Sequence, residues 1–153
     1  MIAGYLIDTN CYIRAQRELG EQTALLDFLD RAAEPVLLSS VVLAGLRAGT
    51  RSADGDRLFA PERLREWLGD SGLVTPGPSA WMAASRVFAA LRGDGDRLRM
   101  SRGFAFDVLL AASCVEHNLA LITHNQRDMA RIAAVMPFVY AAPYPMDAPY
   151  GAS

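Results

Sequence analysis

The chain begins with a short apolar run, Gly4-Tyr5-Leu6-Ile7, cut off abruptly by Asp8-Thr9-Asn10. Four residues are too few for a helix, so the run predicts a buried strand ending in a polar loop, with a helix after it. From Thr23 to Ala33, Leu25, Leu26, Phe28, Leu29 and Ala32 recur at helical spacing, with Thr23 as the expected N-cap and Pro35 as the stop. Val36-Leu37-Leu38 reads as a second strand, and Ser39 or Ser40 can cap a helix from Val41 to Arg47 that Gly49 ends. A polar loop from Arg51 to Pro61 leads to a short helix, Glu62 to Leu68, and a brief strand at Leu73-Val74. The stretch Ser79 to Leu91 predicts a helix that buries Trp81, Phe88 and Leu91, followed by the loop Gly93-Asp94-Gly95-Asp96. Phe104 to His117 is a helix that Asn118 can close, and Leu119 to Thr123 is a fully buried strand. A last helix around Met129 to Val135 and a strand over Pro137 to Tyr140 complete the pattern.

Short apolar strands alternating with helices predict a three-layer α/β/α domain around a central, mainly parallel sheet of four to five strands. The domain is expected over residues 1–142, with a Pro- and Ala-rich tail over 143–153. In such folds the carboxyl ends of the strands carry the site, which directs attention to Asp8-Thr9-Asn10, Ser39-Ser40, and Thr123 through Asp128.

Asp8 alone reads first as a turn residue bonding local backbone N–H groups. Asp107 is more telling. It lies between Phe104-Ala105-Phe106 and Val108-Leu109-Leu110-Ala111-Ala112, and an unpaired buried carboxylate costs several kcal/mol. A place in the first turn of its helix would offset only ~0.3–1 kcal/mol of that through the macrodipole, so a cation is the better partner. After the last strong strand, Thr123 can orient a neighbour while Asn125 or Asp128 supplies oxygen. Oxygen-only ligands with room for water select Mg²⁺ or Mn²⁺ over zinc, and such ions activate water and stabilise charge on a phosphodiester.

The 153 residues, 52% apolar, suit one domain with a sizeable core, and the net charge of −2 gives no global signal for nucleic acid. All 15 basic residues are arginine, which excludes lysine Schiff-base and P-loop chemistry and disfavours a phosphatase or receiver reading. Of the arginines near the acidic motifs (Arg14, Arg17, Arg47, Arg51, Arg99 and Arg102), Arg47 and Arg102 are the choices for phosphate contact. Cys11 and Cys114 sit in apolar stretches as buried free thiols, and His124 is expected at the surface. The absence of a membrane-length apolar run and of a basic leader predicts a soluble, cytoplasmic protein that does not enter a membrane.

Four ordered motifs now resemble a known family. Leu6-Ile7-Asp8-Thr9-Asn10, Leu38-Ser39-Ser40-Val41-Val42-Leu43-Ala44-Gly45-Leu46-Arg47-Ala48-Gly49, Phe106-Asp107-Val108-Leu109-Leu110-Ala111-Ala112, and Leu121-Ile122-Thr123-His124-Asn125-Gln126-Arg127-Asp128-Met129 are similar to PIN-domain toxins of the VapC type. The resemblance implies a bacterial, Mg²⁺- or Mn²⁺-dependent endoribonuclease, a VapB-like antitoxin, a homodimer, and contact with DNA only through the antitoxin. Asp8, Asp107 and Asp128 would be the catalytic metal ligands, with Thr9, Asn10, Thr123 and Asn125 as supports. Gly45 departs from the pattern, because the family places glutamate there. The resemblance therefore implies a weakened enzyme or, as the alternative, an inactive PIN-like module acting through antitoxin or operon binding.

Overall fold

The computed structural model describes residues 1–49, 58–68, 72–93 and 101–145. The expected loops around residues 54–56 and 94–96, Arg51 and Arg99, and the tail beyond 145 lie outside the described residues. In chain order the elements are β1 (Gly4–Ile7), α1 (Thr9–Arg17), α2 (Leu19–Arg31), β2 (Val36–Ser39), α3 (Ser40–Gly49) and α4 (Pro61–Leu68). They continue with β3 (Leu73–Val74), α5 (Pro78–Gly93), α6 (Arg102–His117), β4 (Leu119–Ile122), α7 (Gln126–Val135) and β5 (Val139–Ala141).

The five strands form one parallel sheet in the order β3-β2-β1-β4-β5, with helices on both faces, which is the three-layer arrangement expected from the alternation. The two central strands, β1 and β4, are buried at every position, as a sheet covered on both sides requires. They pair from Gly4 with Leu119 to Ile7 with Ile122. Gly4 has its own reason to be glycine, since a Cβ there would lie 2.7 Å from the Pro35 carbonyl oxygen. Helix α6 packs against α3, α5, α7 and β4 and is buried continuously from Val108 to Cys114. Asn118 closes it in the left-handed region at φ 56°, a conformation that asparagine adopts more readily than most residues. Both cysteines are buried and free.

Three expectations need correction. Thr23 is not an N-cap, because α2 starts at Leu19 and the Thr23 hydroxyl donates back to the Leu19 carbonyl at 3.0 Å. The helix starts with an exposed Leu19 followed by Gly20-Glu21-Gln22, outside the apolar stripe that marked it. Trp81 is 55% exposed, since the buried stripe of α5 runs through Ala80, Ala84, Val87 and Leu91 and leaves the indole outside it. Asp107 is not in a first turn either. Helix α6 begins at Arg102, and Ser101 caps it by accepting from Phe104 N, so Asp107 lies more than a turn inside, where the helix end does little for a carboxylate.

Candidate active site

The sheet register creates the site. Because Ile7 pairs with Ile122, the first residues beyond the two strands, Asp8 and Thr123, meet at the same edge. Asp8 N donates to the Ile122 carbonyl at 2.9 Å, and the Thr123 hydroxyl donates to Asp8 Oδ2 at 2.8 Å. Asp8 is 3% exposed and Thr123 is fully buried. The turn role foreseen for Asp8 also holds, since its Oδ1 accepts from Thr9 N at 2.7 Å and so caps α1. Asn10 braces the pair: its Nδ2 donates to Asp8 Oδ2 at 3.1 Å and to Thr123 Oγ1 at 3.2 Å, and its Oδ1 accepts from His124 N.

Thr123 passes the network onward, because its hydroxyl oxygen accepts from Asn125 N at 3.0 Å. The Asn125 side chain then donates to Asp107 Oδ2 and to Asp128 Oδ2, each at 3.1 Å. One hydrogen-bonded chain thus runs from β1, through the loop after β4, to α6 and α7. Asp8, Asp107 and Asp128 line one cleft of about 480 Å³ together with Thr9, Asn10, Gly45, Arg102, Phe106 and Asn125.

The electrostatics match the crowding. Burial pushes the Asp107 carboxyl up to about 7, and the charges of Asp8 and Asp128 add to the effect against the Asn125 hydrogen bond. Burial also raises Asp8, opposed by hydrogen bonds from Thr123, Thr9 and Asn10 and by nearby His124. A cation in the cleft would favour the ionised form of both. Among the described residues, no group of three or more His, Cys, Asp or Glu side chains converges to hold a metal ion. What the cleft offers is oxygen, from carboxylates, an amide and hydroxyls, and oxygen donors suit a hard divalent cation that keeps part of its water.

Gly45 lies at this cleft on α3, where a Cβ would stand 3.0 Å from Thr9 Oγ1 and 3.7 Å from a Phe106 ring carbon. It contributes no oxygen to that wall. The two arginine choices separate: Arg102 lines the cleft, whereas Arg47 is exposed and forms a 3.2 Å ion pair with Glu62. His124 is not at the surface. Its side chain is 17% exposed and its Nε2 lies 3.4 Å from Glu21 Oε2, because the loop after β4 turns it inward against α2.

Sequence reading missed Arg131, whose guanidinium is 3.8 Å from Asp128 Oδ1 and 5.9 Å from the Phe104 ring centroid. Its signal was the three-residue spacing from Asp128 on a helix. It also missed Phe106 as a cleft wall.

The PIN domain family model matches residues 5–135 of the chain. No curated protein sequence matches it. Among solved structures, VapBC2 from Rickettsia felis bound to a DNA fragment from their promoter is similar, with a TM-score of 0.64 and 17% identity over 91% of this chain and 98% of that one. VapBC-1 from nontypeable Haemophilus influenzae gives a TM-score of 0.64 and 18% identity over 91% and 97% of the two chains. FitAcB from Neisseria gonorrhoeae gives 0.62 and 19% identity over 89% and 95%. At these identities the likeness is one of fold.

Proposed function

The chain belongs to the PIN domain family, and from that premise we propose that it is the VapC-like toxin of a toxin–antitoxin pair, a divalent-metal-dependent endoribonuclease restrained by a VapB-like antitoxin. The observation that carries this reading is the hydrogen-bonded chain from Asp8 through Thr123 and Asn125 to Asp107 and Asp128 along one cleft. Structural kinship with the VapBC and FitAcB proteins supports the antitoxin as partner. On the family resemblance we further propose that the chain forms a homodimer and meets DNA only through the antitoxin. No helix among the described residues is long and apolar enough to cross a membrane. On the family resemblance we place the protein in the bacterial cytoplasm.

Asp8 and Asp107 are the proposed principal ligands for Mg²⁺ or Mn²⁺, with Asp128 contributing directly or through water. When bound, the ion supplies Lewis acidity for water activation and for the charge that develops on the phosphodiester. The chain's own residues do the rest. Thr123 and Asn10 fix the Asp8 carboxylate, and Asn125 holds Asp107 and Asp128 at a common distance from one amide nitrogen. Arg102, at the first turn of α6, is placed to meet a phosphate at the cleft.

The test is RNA cleavage with and without Mg²⁺ or Mn²⁺. Activity that requires the metal and is lost in Asp8→Asn and Asp107→Asn is expected, while metal-independent cleavage refutes the assignment. Gly45 favours a second reading, a PIN-like module that binds antitoxin or acts in operon control without cutting RNA. The two separate on Gly45→Glu. A gain in metal-dependent cleavage of roughly 10–100-fold, comparable to the cost of disturbing a metal site, marks an attenuated nuclease. Equal, robust cleavage by both proteins removes attenuation, and none by either leaves the binding module. The new Cβ requires the Thr9 hydroxyl to give by a few tenths of an ångström, so folding is checked by circular dichroism alongside.

A further inference from the structure

Resting on the reading of Asp8 as a metal ligand, we propose that Tyr144, in the strap of chain that follows β5, is a positioning residue for the acidic cleft. Its ring keeps Cys11 and Asn10 in the arrangement that braces the Asp8 carboxylate.

The strap is stiff and has an aromatic anchor. Tyr144 stands between Pro143 and Pro145, and each proline fixes its own φ while Pro145 also disfavours a helical backbone at Tyr144. The Tyr144 ring stacks on Phe28 of α2 with centroids 5.4 Å apart, and Phe28 meets Tyr5 of β1 edge-on at 5.2 Å. A run of three rings thus ties the strap to the central strand that carries Asp8. Strap and α2 also line a common cavity of about 570 Å³, so the two segments are not packed together along their whole length. The ring stack is what joins them.

The far end of the same side chain reaches the residues behind the site. The Tyr144 hydroxyl is buried among Cys11, Tyr12 and Glu21 and makes no hydrogen bond. A buried hydroxyl without a partner costs stability, so what the side chain contributes here is its bulk. Cys11 is fully buried, and its thiol lies 3.3 Å from Asn10 Oδ1 as donor. Asn10 Oδ1 also accepts from His124 N at 3.2 Å, while Asn10 Nδ2 donates to Asp8 Oδ2 at 3.1 Å and to Thr123 Oγ1 at 3.2 Å. An amide held at both ends has one orientation. Removing the ring admits water to the thiol and to Asn10 Oδ1, and the nitrogen end then loses its fixed aim at Asp8.

The test compares Tyr144→Ala and Tyr144→Phe with the wild type in the whole chain. Three measurements are made: N-ethylmaleimide labelling of each cysteine, the NMR resonances of the Asn10 side-chain amide and the Thr9 N–H that Asp8 accepts, and Mn²⁺ binding. In Tyr144→Ala, Cys11 should label at least about tenfold faster while Cys114 on α6 stays protected, as a local opening gives. Both resonances should move, and Mn²⁺ should bind about threefold or more weakly, less than the ~10–100-fold lost with a direct partner of a ligand. Tyr144→Phe keeps the ring and should match the wild type in all three. Unmoved Asn10 and Thr9 resonances in Tyr144→Ala, exposure of both cysteines together, or a Tyr144→Phe protein that behaves like the alanine variant overturns the proposal. A Mn²⁺ site that Tyr144→Ala leaves at full affinity overturns it too and spares the metal-site reading. A wild-type chain that binds no Mn²⁺ sinks that reading instead, and the resonances with the Cys11 labelling then decide the role of Tyr144.

Discussion

Replacing Asp107 by asparagine should make the metal-free protein more stable at alkaline pH, although it abolishes the proposed activity. Burial, reinforced by the charges of Asp8 and Asp128, raises the Asp107 carboxyl from 3.8 to about 7. A native state with a raised carboxyl binds more protons than the unfolded chain between those values, so stability falls as pH rises through that window and stays low above it. At about 1.4 kcal/mol per unit the full shift would be worth roughly 4 kcal/mol, and solvent screening at a partly exposed cleft reduces this to about 2 kcal/mol. Asparagine removes the charge yet keeps an oxygen for the Asn125 amide. In EDTA at pH 8 the variant should melt roughly 4–8 °C above the wild type, at ~2–4 °C per kcal/mol for a chain of this size. The gap should close progressively as the buffer is lowered toward pH 4. Mg²⁺ should then raise the wild-type melting temperature and leave the variant unmoved. An Asp107→Asn protein less stable than wild type at pH 8, by the same margin as at pH 4, would refute the claim that crowded negative charge governs this cleft.

Two other perturbations probe the scaffold around it. Thr123→Val removes the hydroxyl that donates to Asp8 and accepts from Asn125 and Asn10, so urea unfolding should show a loss of ~1–3 kcal/mol, and Mn²⁺ titration should show weaker binding. A neutral effect on both would mean that water replaces the hydroxyl without consequence. Glu116 accepts from the backbone N–H groups of Gly77 and Ala80 and from the Ser79 hydroxyl at the start of α5, and these bonds hold its carboxyl below the ordinary value of 4.5. Its stabilisation is complete above that value and disappears as pH falls through the lowered one, so Glu116→Gln should cost about 1 kcal/mol at pH 7 after solvent screening and progressively less as pH falls below 4.5, read from paired urea curves.

The fold was legible because both central strands, Gly4–Ile7 and Leu119–Ile122, are short apolar runs ended by polar residues, and because α6 is apolar over several turns. The elements that were misread lie where tertiary contacts decide. The first turn of α2 carries no buried apolar residue, since Leu19 is 77% exposed and Gly20, Glu21 and Gln22 follow it, so nothing in its periodicity set the boundary at Leu19. Trp81 is apolar in composition yet stands on the exposed side of α5. At the site, Asp8 and Thr123 could be inferred because a parallel register aligns the residues that follow two paired strands. The bridging role of Asn125 could not, since it depends on where α6 and α7 come to lie. The meeting of Glu21 and His124 was equally out of reach, because it joins residues about a hundred positions apart with no shared pattern.

Gly45 follows from the same balance of forces. The strands and α6 are held by buried apolar packing, whereas the cleft gathers three carboxylates whose mutual repulsion and burial work against folding. A fourth acid on α3 would add charge to that cleft and contribute nothing to the core. Glycine at position 45 avoids that repulsion, and it sacrifices only ~0.5–1 kcal/mol of helix propensity relative to alanine. Selection for stability alone gives no reason to keep an acid at this position; only the chemistry of a bound cation does. The scaffold of such a site does not depend on an acid at position 45, and the melting temperature of Gly45→Glu, read without metal and then with it, tests whether an acid there can act as a ligand. A variant that is less stable without metal and more stable with it has regained a ligand, and one that is less stable in both conditions has gained only a charge.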